Sequence, residues 1–343
     1  MIIIDGIIFS LQRQGGVSVY FQSLITYLAE IGEPTMVVLE HSRKQELILD
    51  GKSVQSCYAS SRLLERYRTC RIYGTGTVFH SSYYRRPVRS DIPTVVTVHD
   101  FVYERFLRGP RQLIHTLQKN AAIRAAQAVI CVSESTKSDL LEFVGETPGQ
   151  MIHVIHNGVS GVFRILGLEA SGRPYVLFVG QRGGYKNFRL AVDALEFLPG
   201  VDLVCVGGGP VRPNELDGVS AAVVARVRHL GYVTDENLNI LYNQACCLIY
   251  PSSYEGFGIP LLEAMRAGCP VVVGNCKALR EVGRDALIVA IEYEARSMAD
   301  AVMISVSSKR SILIEKGLNV ALNYSWQNTH GRTFEVYRGL AER

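Results

Sequence analysis

Short runs of apolar and β-branched residues alternate with longer segments along most of the chain. Such runs, separated by segments long enough for helices, are typical of parallel strands that helices cover on both faces. The sequence shows no internal repeat of the kind that marks a solenoid, so a solenoid fold is not expected. It predicts strands at residues 1–5, 36–39, 77–80, 94–98, 128–132 and 152–155, and again at 175–180, 202–207, 224–230, 246–250 and 271–273.

The length of 343 residues indicates two domains, because a single core rarely keeps growing beyond about 250–300 residues. Residues 157–174 are rich in glycine and turn residues, which is typical of a linker. Ligands of open α/β sheets bind beyond the carboxyl ends of the strands. The predicted fold class is α/β, with two doubly wound Rossmann-like domains facing a cleft, at residues 1–162 and 163–325. An amphipathic helix follows at residues 326–343.

The most distinctive segment, residues 255–270, reads EGFGIPLLEAMRAGCP and predicts a turn that leads from a strand into a helix. Pro260 falls in the first turn of that helix, where it costs no hydrogen bond. The start of a helix offers unpaired N–H groups and a partial positive charge, which suit a phosphate or sugar hydroxyls. Glu255 and Glu263 are carboxylates that can accept hydrogen bonds from the vicinal diols of a sugar. The alternative is an ordinary turn with two solvent-exposed glutamates.

Two glycine-rich turns follow strands of the second predicted domain. Residues 181–187, QRGGYKN, place Arg182 and Lys186 where both can converge on one diphosphate. The alternative is a solvated basic loop. Gly207 and Gly208 end the next strand, and their small size lets a nucleotide approach the backbone closely.

Together these segments resemble the paired-glutamate signature of the retaining GT-B glycosyltransferases of family 4, which transfer a sugar from a nucleotide-sugar donor. The resemblance implies that Glu263 holds the donor ribose and that Glu255 holds the donor sugar hydroxyls. It also implies that Arg182 and Lys186 neutralise the leaving diphosphate. The other positions that it implies for donor binding in this domain, mainly through the backbone, are Gly207, Gly208, Val233, Gly256, Phe257, Gly258 and Ile259.

The first domain resembles the acceptor-binding domain of the same family. Gly15 and Gly16 match the double-glycine loop under the donor phosphates, and they do not form a dinucleotide fingerprint. His99 follows a strand and matches a histidine of the family that touches the donor sugar. The resemblance therefore adds His99 to Arg182, Lys186 and Glu255 as the expected catalytic residues. The alternative is a structural role, which is more common for a lone histidine. The family's terminal helix crosses back to the first domain, as residues 326–343 would do unless they stay on the second.

Composition narrows the class of protein and its chemistry. Apolar residues make up 48% and charged residues 20% of the chain, as in ordinary soluble globular proteins. The N-terminal strand has no basic region before it, so we expect no signal peptide. The eight cysteines show no paired metal spacing, which favours reduced thiols in the cytoplasm. No Asp-x-Asp motif is present, and Arg182 and Lys186 already supply positive charge, so we expect neither a metal nor a cofactor.

Charge is distributed unevenly in the first domain. Residues 51–111 carry eleven lysines and arginines against four acids, with tyrosines and Phe106 interleaved. Such a surface fits an anionic membrane face or a lipid-diphosphate acceptor, and it fits a solvated face equally well. We do not expect a nucleic-acid partner, because no recognition motif accompanies the charge.

The sequence therefore predicts a cytoplasmic, metal-independent hexosyltransferase that acts on a glycan or lipid-linked acceptor, in possible contact with the inner face of the plasma membrane. The QRGGYKN form looks most like O-antigen mannosyl- and rhamnosyltransferases, which favours GDP-mannose as the donor and lipopolysaccharide O-antigen assembly as the pathway. A nucleotide-sugar 2-epimerase of the GT-B fold and a non-catalytic nucleotide-sugar-binding protein remain open. A nicotinamide oxidoreductase is disfavoured, because the fingerprint is missing.

Overall fold

The computed structural model describes residues 1–12, 15–40, 54–59, 63–72, 75–168 and 172–342. They form two compact units. Unit 1 is Met1–Gly158 with Trp326–Arg343, and unit 2 is Val159–Ser325. Unit 2 begins at Val159 and not at residue 163, because Val159 forms an isolated parallel bridge with Ser325.

Unit 1 is built on a seven-stranded sheet in which every strand pair is parallel. The strand order is β3-β2-β1-β4-β5-β6-β7. The strands are β1 (Ile2–Asp5), β2 (Thr35–Glu40), β3 (Val54–Ala59), β4 (Val78–Ser81), β5 (Thr94–Val98), β6 (Ala128–Cys131) and β7 (Met151–Val154). The helices before β7 are α1 (Ile7–Leu11), α2 (Gly16–Glu30), α3 (Val102–Phe106), α4 (Pro110–Ala125) and α5 (Glu134–Phe143), with a 3-10 turn at Glu65–Tyr67.

Unit 2 has a six-stranded parallel sheet in the order β10-β9-β8-β11-β12-β13. Its strands are β8 (Tyr175–Val179), β9 (Asp202–Val206), β10 (Val227–His229), β11 (Leu248–Tyr250), β12 (Val271–Val273) and β13 (Leu287–Val289). Its helices are α6 (Phe188–Ala194), α7 (Ala221–Val224), α8 (Asp235–Gln244), α9 (Ile259–Arg266), α10 (Lys277–Gly283), α11 (Ala295–Ser305) and α12 (Arg310–Ala321). Its 3-10 turns lie at Gly184–Lys186, Leu195–Phe197, Pro213–Glu215 and Arg284–Ala286.

The two parallel sheets with their covering helices confirm the predicted fold class of Rossmann-like α/β units. Three strands differ from the prediction, and one of them is β13, which was not predicted. The run at 224–230 contains only the strand Val227–His229, because the apolar residues before it belong to α7. Strand β3 was missed because its middle residues, Gln55 and Ser56, are polar and exposed, as suits a strand at the sheet edge.

The chain ends with helix α13 (Trp326–Ala341), which packs on unit 1. Tyr337 and Leu340 enter the core between α2 and the sheet. The Thr329 hydroxyl donates a hydrogen bond to the carbonyl of His156 at 2.8 Å. Among the described residues, no helix is both long enough and apolar enough to cross a membrane.

Candidate functional site

The strand-turn-helix around the two glutamates runs from β11 through residues 251–258 into α9. Gly258 precedes the helix with a φ of 98°, in the left-handed region that favours glycine. A Cβ atom at this position would lie 2.4 Å from the Leu279 side chain. Glycine is therefore required here for two reasons, and it lets the start of α9 pack against Leu279 of α10.

Glu255 lies in this turn and forms an ion pair with Lys186, which comes from the 3-10 turn after β8. Lys186 Nζ is 2.5 Å from Glu255 Oε1, and the two side chains are only 13% and 10% exposed. Tyr250, the last residue of β11, is buried and hydrogen-bonds to Glu255. Lys186 Nζ lies 3.4 Å from the hydroxyl oxygen of Tyr250. Burial and then the charge of Glu255 raise the pKa of Tyr250 well above its ordinary value. The phenol therefore stays protonated and orients the ion pair.

Glu263 lies in the middle of α9 and takes a hydrogen bond from the buried Tyr242 of α8. The Tyr242 hydroxyl is 3.0 Å from Glu263 Oε2. Burial raises the pKa of Glu263 to about 8, and the Tyr242 bond offsets part of that rise. Neither glutamate is thus the solvent-exposed residue of the alternative hypothesis. A carboxyl group held in this way gains from further hydrogen-bond donors such as ribose hydroxyls, which stabilise its charged form.

Within the described part of the chain, Arg182 and Lys186 have no hydrogen-bond partner in common. Its guanidinium bonds Glu215 at 3.0 Å and the carbonyls of Gly209 and Pro210 at 2.9 and 2.8 Å. Its side chain is only 3% exposed. The structure therefore gives Arg182 a role that the sequence did not predict, which is to hold the glycine loop after β9.

That glycine loop lies against the end of β8. A Cβ atom on Gly208, whose φ is 72°, would lie 2.7 Å from the carbonyl oxygen of Gly180. The N–H of Gly207 donates to the carbonyl of Gly231 at 2.8 Å, which ties the loop to the segment that contains Val233. The predicted nucleotide-binding positions of this segment and of the glycine loop are thus neighbours.

Tyr232 is a residue that sequence reasoning missed. The Tyr232 side chain is largely exposed. Partial burial of its hydroxyl raises the pKa, and the charges of Asp235 and Glu263 raise it further, so the phenol lies near both carboxylates. Tyr242, Tyr250 and Glu215 were missed as well. No motif marks them, because each becomes important only through a partner that is distant in the sequence.

The predicted site residues of unit 1 follow β1 and β5. Gly15 caps α2 and Gly16 begins it, while Gln14 of the same motif lies outside the described residues. His99 follows β5 and packs its ring edge-on against Tyr20 at 5.2 Å. Burial lowers the pKa of His99 to about 4, and its buried Nε2 has no hydrogen-bond partner among the described residues. A neutral imidazole with an unused nitrogen can exchange a hydrogen bond with a sugar hydroxyl.

Comparison with known proteins agrees with this architecture. The Glycosyltransferase Family 4 model matches residues 14–160, and the Glycosyl transferases group 1 model matches residues 173–307. The O-antigen chain mannosyltransferase B of Escherichia coli is 27% identical over 298 residues, which cover 77% of this chain and 74% of that protein.

Two solved structures show the same fold. Sucrose-phosphate synthase from Thermosynechococcus elongatus has a TM-score of 0.80 at 18% identity, covering 99% of this chain and 98% of that one. Anabaena HepE in complex with UDP has a TM-score of 0.74 at 15% identity, covering 98% of this chain and 99% of that one. The family matches favour a glycosyltransferase over an epimerase, an oxidoreductase or a pure binding protein. The chain belongs to the GT-B glycosyltransferases of the family 4 type.

Proposed function

We propose that this glycosyltransferase moves a hexose from a nucleotide-sugar, with GDP-mannose favoured, onto a glycan or lipid-linked acceptor. The pathway is the assembly of lipopolysaccharide O-antigen or another bacterial surface polysaccharide. Support for the donor and the pathway comes from the similarity to an O-antigen mannosyltransferase. Because HepE was solved with UDP, a uridine nucleotide is the second candidate for the donor.

The observation that carries the proposal is the pair of half-buried carboxylates around one helix start, each held by a buried tyrosine. In this proposal the ribose hydroxyls of the donor bind Glu263 beside Tyr242. The sugar hydroxyls replace Lys186 on Glu255, and the freed ammonium turns to the diphosphate. Donor binding thus exchanges one ion pair for two charge-assisted contacts, which are stronger than neutral hydrogen bonds.

Catalysis then consists of stabilising the leaving diphosphate. As the bond between the sugar carbon and the phosphate oxygen breaks, negative charge grows on the phosphate and is met by Lys186 and by the N–H groups at the start of α9. The acceptor hydroxyl attacks from the face that the phosphate leaves, so that the configuration is retained. Its proton passes to the departing phosphate oxygen. His99, which is neutral, positions a hydroxyl of the donor sugar.

The proposed reaction needs no metal and no cofactor, because Lys186 and the helix start supply the positive charge at the phosphate. Activity is expected to persist in excess EDTA. Loss of activity in EDTA, with recovery on adding magnesium or manganese, would contradict this part of the proposal. We place the enzyme in the cytoplasm, where it can contact the inner face of the plasma membrane. The eight free cysteines suit a reducing compartment.

The experiment that tests the function is a panel of nucleotide-sugars, scored for thermal stabilisation and then for release of the nucleoside diphosphate with a polysaccharide-derived acceptor. A donor at about 100 times its Kd stabilises the folded chain by about 2.7 kcal/mol. We expect GDP-mannose to stabilise it most and to be turned over. Stabilisation without release of nucleotide on any acceptor would indicate a binding protein, and production of an isomeric nucleotide-sugar would indicate an epimerase.

A further inference from the structure

A group of aromatic rings and polar side chains lies at the carboxyl ends of β4 and β5 in unit 1. The ring of His115, from α4, is stacked on that of Tyr103, with centroids 3.9 Å apart, and lies 5.7 Å from that of Tyr83. Ligands of open α/β sheets bind at such strand ends. We name this group the ring cluster; its members are Arg66, Tyr83, Asp100, Tyr103 and His115.

Two nitrogens of the ring cluster are buried and lack a partner among the described residues. His115 is only 4% exposed, and its Nδ1 forms no hydrogen bond there. Arg66 Nε is buried and unpartnered in the same way. The Arg66 guanidinium lies over the Tyr83 ring at 5.1 Å, and its Nη2 reaches the Tyr83 hydroxyl at 3.4 Å. Buried polar groups are nearly always hydrogen-bonded in folded proteins, so these two nitrogens indicate a ligand site.

The surrounding structure fixes the ring cluster in place. Tyr84, next to Tyr83, has a φ of 58°, in the left-handed region that residues other than glycine rarely adopt. The buried Lys119 donates hydrogen bonds to the carbonyl of Asp100 at 2.6 Å and to Glu104 at 3.2 Å. Strained residues persist where their surroundings hold them, and they are concentrated at ligand sites. A site that is rigid before binding loses little entropy when a ligand arrives.

The ring cluster holds both signs of charge. Burial raises the pKa of Tyr83 to about 12, and the charge of Arg66 opposes this rise. The Asp100 carboxylate adds to the rise, so a cation and a carboxylate both lie near the same phenol. Burial lowers the pKa of His115 to about 4, so its imidazole is neutral near pH 7. A phosphate would be repelled by Asp100, whereas a neutral ligand with several hydroxyl groups would gain from both charges.

A sugar ring has the two kinds of surface that the ring cluster complements. The face of an aromatic ring is partly negative and attracts the C–H groups on the apolar side of a pyranose. Each sugar hydroxyl can donate to Asp100 and accept from Arg66, and it can exchange a hydrogen bond with His115. Tyr83 and Tyr103 are half-buried, so part of each side chain is open to a ligand.

We propose that the ring cluster binds a pyranose residue of the acceptor, with its apolar face on the tyrosine rings and its hydroxyls on Arg66, Asp100 and His115. Asp100 directly follows His99 in the sequence. The bound saccharide therefore lies at the strand end that carries the proposed donor-sugar contact of unit 1. Its assignment to the acceptor rests on the proposed glycosyltransfer, whereas saccharide binding itself does not.

Saccharide binding is tested on the full chain without a donor, by saturation-transfer NMR and calorimetry. The probes are the methyl glycosides of mannose, rhamnose, galactose, glucose and N-acetylglucosamine. We expect at least one of them to bind through its ring protons. Asp100→Asn should weaken that binding roughly tenfold or more, as expected for a lost hydrogen bond to a charged group. The new carboxamide can still accept the hydrogen bond that Val102 N–H donates at 3.1 Å, which preserves the turn.

Tyr103→Ala removes the ring that stacks on His115 and should weaken binding of the same glycoside. Steady-state kinetics with that glycoside as acceptor extend the test. In both variants the KM of the acceptor should rise about tenfold while the KM of the nucleotide-sugar stays within about twofold, because the lost contacts are made to the acceptor alone. Unfolding temperatures check that each variant is folded.

Matched controls carry the same kinds of change on exposed sites of unit 1. They are Tyr58→Ala on β3 and Asp91→Asn in the exposed pair with Arg89, and each should bind the glycoside within about twofold of the wild type. No binding of any glycoside, or equal losses in the controls, would overturn the proposal. So would displacement of the glycoside by inorganic phosphate, because the occupant would then be an anion. Glycoside binding that both variants lose, without turnover of any nucleotide-sugar, would support the saccharide site and contradict the proposed function alone.

Discussion

The two units differ in the solvent exposure of the ion pairs that follow their strands. In unit 1, Asp5 at the end of β1 and Arg85 after β4 form a 2.5 Å ion pair with no exposed side-chain surface. Glu65 adds a second carboxylate to the same guanidinium. In unit 2, the Lys186–Glu255 pair has similar geometry and keeps some exposure on both side chains.

This difference separates structural charges from charges that a ligand can reach. The guanidinium of Arg85 has two carboxylate partners inside the fold, so any new partner would have to break the core. Glu255 has one ammonium partner and one phenol, and sugar hydroxyls can replace the ammonium without exposing a bare charge. Similar ion pairs can therefore serve stability in one unit and binding in the other.

The largest effect is expected from acid, and it should fall on unit 1. Burial lowers the pKa of His80 and of His330 to about 3, while an unfolded histidine titrates near 6.5. The unfolded state therefore binds more protons below pH 6.5, and unit 1 loses stability as the pH falls from 6.5 toward 3. The two groups together remove up to about 5 kcal/mol by pH 4.5.

Hydrogen exchange as a function of pH measures this effect separately in each unit. Unit 2 contains one histidine, His229, which lies on its β10 strand. Peptides of unit 1 should lose protection first between pH 6.5 and 4.5. Equal loss of protection in both units would show that the buried histidines do not set the acid stability.

Removing the buried guanidinium should be the next largest change. Arg85→Met leaves Asp5 and Glu65 without their cation, and breaking a buried pair in this way costs about 3–5 kcal/mol. Urea unfolding followed by circular dichroism measures the loss. The control is Arg89→Met, which breaks the exposed pair with Asp91 and should cost about 0–1 kcal/mol. Similar costs for both variants would remove the distinction between the two kinds of ion pair.

In unit 2 the expected loss is in turnover. Lys186→Ala should lower kcat about a hundredfold or more, because the lost contact strengthens as the diphosphate gains charge. Its unfolding temperature should hardly change. Arg182→Ala should lower both turnover and stability, because it also releases the carbonyls of Gly209 and Pro210. A Lys186→Ala variant with normal kcat would exclude Lys186 from the reaction.

Tyr250→Phe should give the smallest effect. Loss of the phenol removes one hydrogen bond to Glu255, worth about 1 kcal/mol, so kcat should fall several-fold while nucleotide affinity stays the same. Tyr293→Phe is the control, since within the described residues its hydroxyl bonds the backbone of Ser252, at 3.5 Å, and of Asn275, and neither Glu255 nor Lys186. Equal effects from the two variants would mean that Tyr250 does not orient the site.

The strands, the helix after Gly258 and the motif residues were predictable because their signals are local. Runs of Val and Ile mark strands such as β5 and β12, and glycine and proline mark the turn before α9. Strand β13 was not predicted, although its three residues are as apolar as those of β12. The buried tyrosines and the Arg182–Glu215 pair join residues far apart in the sequence, and a single sequence does not show which distant residues meet.

The central claim is that Glu263 binds the ribose of the donor and Glu255 binds its sugar. Calorimetry with the free nucleoside diphosphate, which has ribose but no hexose, tests it most directly. Measured above pH 8, where the Glu263 carboxylate is charged, Glu263→Ala should weaken binding by roughly 1.5–3 kcal/mol, the value of a hydrogen bond to a charged group. Glu255→Ala should leave the Kd of the diphosphate nearly unchanged. An unchanged Kd for Glu263→Ala, or equal losses in both variants, would contradict this division between the two carboxylates.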